Sequence, residues 1–280
     1  MKKLGIVVIL CLVLTLSVAG SAWADDSGIT YPIMRPDRET LEKWIEAYNN
    51  APLAHIEMEG FPVSMPAGSL NLLSHLEYNP VERDQNVCGN CWQWAGTGCL
   101  AIALDVQEGT KDRLSVQYLN SNYNGGGGSD WACCGGWLSD LADFYAASGM
   151  AIPWSNINAH WQDGSQLCSD QLTSVPAHTI STTPDYPITF ITEERITTQT
   201  VNQATAIANI KDVLHENKAI WFAFFLPNDT AWSDFFHFWN NGSEGVVYDI
   251  DKFCGIPYDP EQGGGHAVLC VGYNDEYPNN

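Results

Sequence analysis

The stretch Gln85-Asn86-Val87-Cys88-Gly89-Asn90-Cys91-Trp92 leads into a run, Cys91 to Leu104, that holds no charged residue. Trp92, Ala95, Cys99, Ile102 and Val106 share one helical face, and Leu100, Ala101 and Ala103 fill the rest. A helix that is apolar all round belongs inside a domain. Cys91 opens this helix, where the positive end of the macrodipole and unpaired amides stabilise a thiolate, the nucleophilic form. Acyl transfer also needs donors for an oxyanion, and the Gln85 amide and the Cys91 backbone N–H offer two. On these residues alone other readings stay open. C-x-x-C also marks a redox pair or half of a zinc site. Cys133 and Cys134 would complete four thiolates, though adjacent cysteines suit one tetrahedral ion poorly. A redox pair would follow a strand, and the residues before Cys88 do not read as one.

Outward from this helix the chain divides into four stretches. Residues 1–24 read as a secretory signal peptide: Lys2 and Lys3, an apolar run from Leu4 to Val18, and the cleavage pattern Ala22-Trp23-Ala24. Residues 25–70 read as a leader or short propeptide. Its Leu41, Trp44, Ile45 and Tyr48 form a helical stripe, and Pro52, Pro62 and Pro66 mark a linker. From 71 to 180 the pattern is helical, with further helices from Ser115 and over Trp137–Ser148. From 181 to 280 it turns to β, rich in Thr, Ile and Pro. One helix, Thr205 to Asn217, precedes a buried strand at Ala219–Leu226, and His266–Tyr273 reads as another strand.

The chain of 280 residues is 45% hydrophobic and carries a formal net charge of −21. Such a surface repels phosphate backbones and anionic lipid, so neither nucleic acid nor, once the signal is cleaved, a membrane is an expected partner. Nine cysteines are present, and loss of Cys11 with the signal leaves eight for an oxidising compartment.

Gln85, Cys88, Gly89, Cys91 and Trp92 match Q-x-x-C-G-x-C-W, and on these residues the chain resembles the papain-like cysteine peptidases. Asn90 departs from the small residue usual there. Leu114-Ser115-Val116-Gln117-Tyr118-Leu119 resembles the family's L-S-x-Q-x-L, and Cys133-Cys134-Gly135-Gly136 its C-x-G-G. Gly265-His266-Ala267-Val268, followed by Val271-Gly272-Tyr273, resembles its histidine segment. The motifs occur in the family's order over about residues 78 to 275. The resemblance implies an α+β, papain-like two-lobe fold. A helical N-terminal lobe and a β-barrel-like C-terminal lobe would flank the cleft. It also implies hydrolysis of peptide bonds in a peptide or protein substrate, by a monomer, with no metal or other cofactor. Cys91 would be the nucleophile, His266 the base and later the acid, and Gln85 an oxyanion donor. Gly135 and Gly136 would line the substrate, and Cys88 would pair with Cys133.

The sequence also departs from this family. Cys91 and His266 lie further apart than the roughly 130–150 residues the signature expects. The aromatic stretch Trp232 to Tyr258 and the glycine loop Gly125 to Gly128 are expected to absorb the excess as insertions. The family's orienting asparagine, in N-S-W, has no counterpart, so the expectation is a fragment with impaired activity. Cys134 is expected to pair with Cys168, and Cys254 to lack its partner. A non-catalytic papain-like binding protein is the alternative from another class.

Overall fold

The computed structural model describes residues 7–10, 32–56, 68–77, 84–170, 172–242 and 246–276. The elements run β1 (Val7–Leu10), α1 (Arg38–Asn50), β2 (Ser69–Asn71), α2 (Cys91–Glu108), α3 (Val116–Asn122), α4 (Leu138–Ser148), β3 (Met150–Ala151) and β4 (Tyr186–Pro187). There follow α5 (Gln203–His215), β5 (Ile220–Leu226), α6 (Asp229–Asn241), β6 (Gly264–Cys270) and β7 (Gly272–Asn274). Short 3-10 turns fill the connections. The fold is α+β.

Helix α2 is the axis of the core. From Cys91 to Ile102 it is buried except at Trp94, and it packs on α4 on one side and on β5 and β6 on the other. Gly96 makes this approach close: a Cβ there would lie 2.1 Å from Leu141 Cδ1. The helix stops where Gly109 takes a left-handed conformation, φ +68°. Ser115 caps α3 by accepting from the Tyr118 amide, at 2.9 Å.

The main sheet has the order β1-β5-β6. β5 and β6 pair antiparallel along their whole length, with Phe224 opposite His266 and Ala223 opposite Ala267. The far edge of β5 takes β1 in parallel, Val7 opposite Ile220. Part of the apolar run read as an export signal is thus a strand whose backbone satisfies that edge. Residues 1–6 and 11–31, with the cleavage pattern, lie outside the described residues.

One expectation needs correction. Among the described residues the β-rich half forms an open sheet and two short ladders, β2–β7 and β3–β4, with no closed barrel. The Thr- and Ile-rich start of that half is mostly irregular, with Tyr186–Pro187 pairing on β3. The aromatic stretch after β5, expected as an insertion, opens with helix α6, capped by Asn228, whose side chain accepts from the Ala231 amide at 3.0 Å. No helix among the described residues is long and apolar enough to cross a membrane.

Candidate active site

Cys91 is the first residue of α2 and is fully buried. Two disulfides anchor the approach to it: Cys88–Cys133 and Cys134–Cys168. They remove the thiolates a zinc site would need, and they rule out a Cys88–Cys91 redox pair in this state. Asn90, whose side chain makes no cap bond, instead reaches Gln93 and Asn120, each at 3.2 Å. Cys254 and Cys270 are free, as is Cys99, buried on α2.

The segment before α1 comes back across this site. Residues 32–36 run extended ahead of α1, and Met34 forms an antiparallel bridge with Gly265. Each backbone N–H donates to the other's carbonyl at 2.8 Å. Gln85 Nε2 donates to the Pro32 carbonyl at 3.0 Å and to that of Cys88 at 2.9 Å. The candidate oxyanion donor therefore already holds a peptide oxygen. The Met34 side chain is fully buried against Gly135, where a Cβ would come within 3.0 Å of it. Gly135 has φ +114°, so both conformation and space require glycine there. Gly136 faces Trp92 rather than the segment: a Cβ would lie 2.5 Å from that indole. Trp44 of α1 completes the cover, stacked on Trp137 with centroids 5.6 Å apart.

Under this cover the Cys91 thiol is pushed up to about 12, chiefly by burial. The amides of Ala267, Trp92, Cys91 itself and Met34 oppose that shift without overcoming it. The Ala267 N–H donates to Cys91 Sγ at 3.3 Å. His266 is not engaged. Side chains alternate along β6, so Ala267 faces Cys91 while His266 and Val268 face the other way, toward Phe224 and α6. Its ring lies 5.8 Å from Phe224, 5.9 Å from Phe235 and 6.3 Å from Trp232. Its Nδ1 is buried without a partner, and burial alone lowers its pKa to about 4. Both groups are thus neutral near pH 7, and no hydrogen bond joins them among the described residues. The structure gathers Cys91, Gln85 and Gly135 around the segment and leaves His266 on the far face of β6. Sequence reading missed Pro32, Ile33, Met34 and Arg35 as site residues; Pro36 and Asp37, which close the extended stretch and cap α1, were the visible signal.

A solved structure similar in fold is xylellain, a cysteine protease from Xylella fastidiosa. The match has a TM-score of 0.50 and 16% identity, covering 81% of this chain and 77% of that one. The chain has the papain-like cysteine peptidase fold. By sequence it is similar to Cathepsin L 1 and Cathepsin L 2 of Paramecium tetraurelia. Each is 32% identical over 75 residues, which is 26% of this chain and 22% of the relative. It is also 31% identical over 74 residues to Gamete and mating-type specific protein A of Dictyostelium discoideum, covering 26% of this chain and 16% of that protein. The matched stretches thus span about a fifth of the curated relatives' length. No family model matches.

Proposed function

We propose that this chain is a secreted papain-like cysteine peptidase whose leader acts as an inhibitory propeptide. One observation carries the reading. An extended peptide, Pro32–Arg35, lies over Cys91 with its backbone on Gly265 and one carbonyl on Gln85. A cleft that takes its own chain this way has the donors and acceptors to take a substrate peptide. The A-x-A pattern and the two disulfides support export.

In the active state Cys91 Sγ would attack the scissile carbonyl carbon, forming the C–S bond. Its proton passes to His266, and the resulting imidazolium balances the thiolate. Gln85 Nε2 and the Cys91 N–H donate to the oxyanion. Collapse breaks the C–N bond, and His266 returns the proton to the leaving amine. Water then hydrolyses the thioester, giving the acid and restoring the thiol.

A second reading, a peptide-binding protein without catalysis, draws on the position of His266 away from Cys91. One experiment separates the two. The purified chain, before and after limited proteolysis of the leader, is treated with a cysteine-directed peptide epoxide, and the adduct is mapped. Labelling of Cys91 after leader release, with peptide hydrolysis lost in Cys91→Ala, supports the peptidase. Tight peptide binding with neither labelling nor hydrolysis supports the binding protein.

A further inference from the structure

The leader touches more than the cleft. Ile33 belongs to the same buried cluster as Phe224, Leu226, Ala231, Trp232 and Phe235, the group that encloses the His266 ring. Its Cδ1 stands 2.7 Å from where a Cβ on Gly264 would be. Arg35 makes a 3.7 Å ion pair with Asp229, the first residue of α6, and reaches the carbonyls of Glu261 and Gln262, each at 3.4 Å. Met34 holds Gly265, the residue before His266, by two backbone bonds. Three consecutive leader residues therefore grip the helix over the histidine and the strand that carries it. The run Gly263-Gly264-Gly265 supplies backbone freedom directly before His266 once that grip is lost.

We propose that Ile33–Arg35 and α6 form a single latch that holds His266 on the far face of β6. Release of the leader then frees the imidazole to meet Cys91 as well as opening the cleft. The inference rests on the part of that reading in which Cys91 and His266 meet once the leader is gone. Latency is then double: the substrate's place is occupied, and the pair is unmade. Among the described residues the His266 ring lies against the aromatic side chains of Phe224, Trp232, Phe235 and Phe236. The ionisable groups of α6 are paired elsewhere: Asp229 with Arg35, Asp234 with Lys252 and Tyr248, and His237 with Asn241. The ring is kept there by packing, in a cluster that includes Ile33, and by the pairing of β6 with β5.

The test uses the full chain with its leader attached. Ile33→Ala thins the cluster, and Asp229→Asn cuts the tether from the α6 side; both leave Met34, Gln85, Cys91 and His266 in place. Alkylation of Cys91 by iodoacetamide is followed from pH 5 to 9 by mapping the labelled peptide, which separates it from Cys99, Cys254 and Cys270. The wild-type rate is expected to be slow and to rise about tenfold per pH unit, as for an unpaired thiol. At pH 6.5 Ile33→Ala is expected to react about tenfold faster, with a plateau toward acid that marks an ion pair. Asp229→Asn is expected to give about threefold, since its tether is partly exposed. Adding His266→Leu should abolish both gains. A gain that survives His266→Leu would mean the variants merely open the cleft, and the latch would be wrong. No gain in either variant would also overturn it, and epoxide labelling of Cys91 after leader release would then leave the peptidase reading standing. A His266-dependent gain without epoxide labelling or hydrolysis would instead support the latch and sink the peptidase.

Discussion

Acid should weaken this fold through His266 by an amount the structure sets. The ring is buried among aromatic side chains with Nδ1 unpartnered, and its pKa falls from 6.5 to about 4. The folded value lies below the unfolded one, so between these limits the unfolded chain binds more protons, and stability rises with pH. The contribution of the neutral ring is complete above about 6.5 and is lost as pH falls toward 4. The gap corresponds to about 3 kcal/mol. Other groups shift between the two states as well. Asp140 and Glu193 are raised by burial, while Asp37, Asp234 and Asp275 are lowered chiefly by Thr40, Lys252 and Lys211. A difference against His266→Leu isolates the histidine. Urea unfolding of the full chain at pH 7 and pH 4 is the assay. The wild type should lose about 1 M more in midpoint than the variant, given a urea slope of roughly 3 kcal/mol/M for a chain of this size. Equal losses in both proteins would refute the reasoning, because they would mean the ring can take its proton in place.

Three further outcomes follow from the packing. Leu141→Ala, opposite Gly96, should cost about 3 kcal/mol in urea unfolding, since α2 and α4 are already in contact and cannot close the void. Replacing Cys88 and Cys133 together by alanine opens a loop with a sequence separation of 45. It should lower stability by about 4 kcal/mol on the chain-entropy account, read by the same assay. Asp163→Ala should cost about 2–5 kcal/mol and loosen the loop around it, read by amide exchange at Ser174. The Asp163 carboxylate is fully buried and accepts from Gln117 at 2.7 Å, Asn120 at 2.6 Å, Thr173 at 2.8 Å and the Ser174 amide at 2.7 Å.

Elements whose signal is local were legible in the sequence. The charge-free run after Cys91 gives α2, the leader stripe gives α1, and the short apolar runs give β5 and β6. Helix α6 was legible in principle: Asn228 is a good cap type, and Trp232, Phe235, Phe236 and Trp239 keep helical spacing. The parts that were not legible depend on distant partners. Nothing in Pro32–Arg35 announces that it will pair with Gly265, more than two hundred residues away, because a single antiparallel bridge leaves no periodic trace. The same holds for Val7–Leu10, whose apolar run serves equally for an export signal and for the edge of β5.

The position of His266 shows where a motif stops being enough. Gly-His-Ala-Val fixes which residues follow one another, and β6 fixes that neighbours face opposite sides. The sheet therefore offers Cys91 either His266 or Ala267, and here it offers Ala267, whose amide reaches the sulfur at 3.3 Å. On the latch proposed above, the side depends on what grips the start of the strand. Met34 holds Gly265, Ile33 sits on Gly264, and α6 closes behind the ring. Each contact belongs to a segment outside the motif. On the proposed reading the chemistry of the site centres on Cys91, while its state is set by three residues, Ile33 to Arg35, and one aromatic helix on the other face of the sheet.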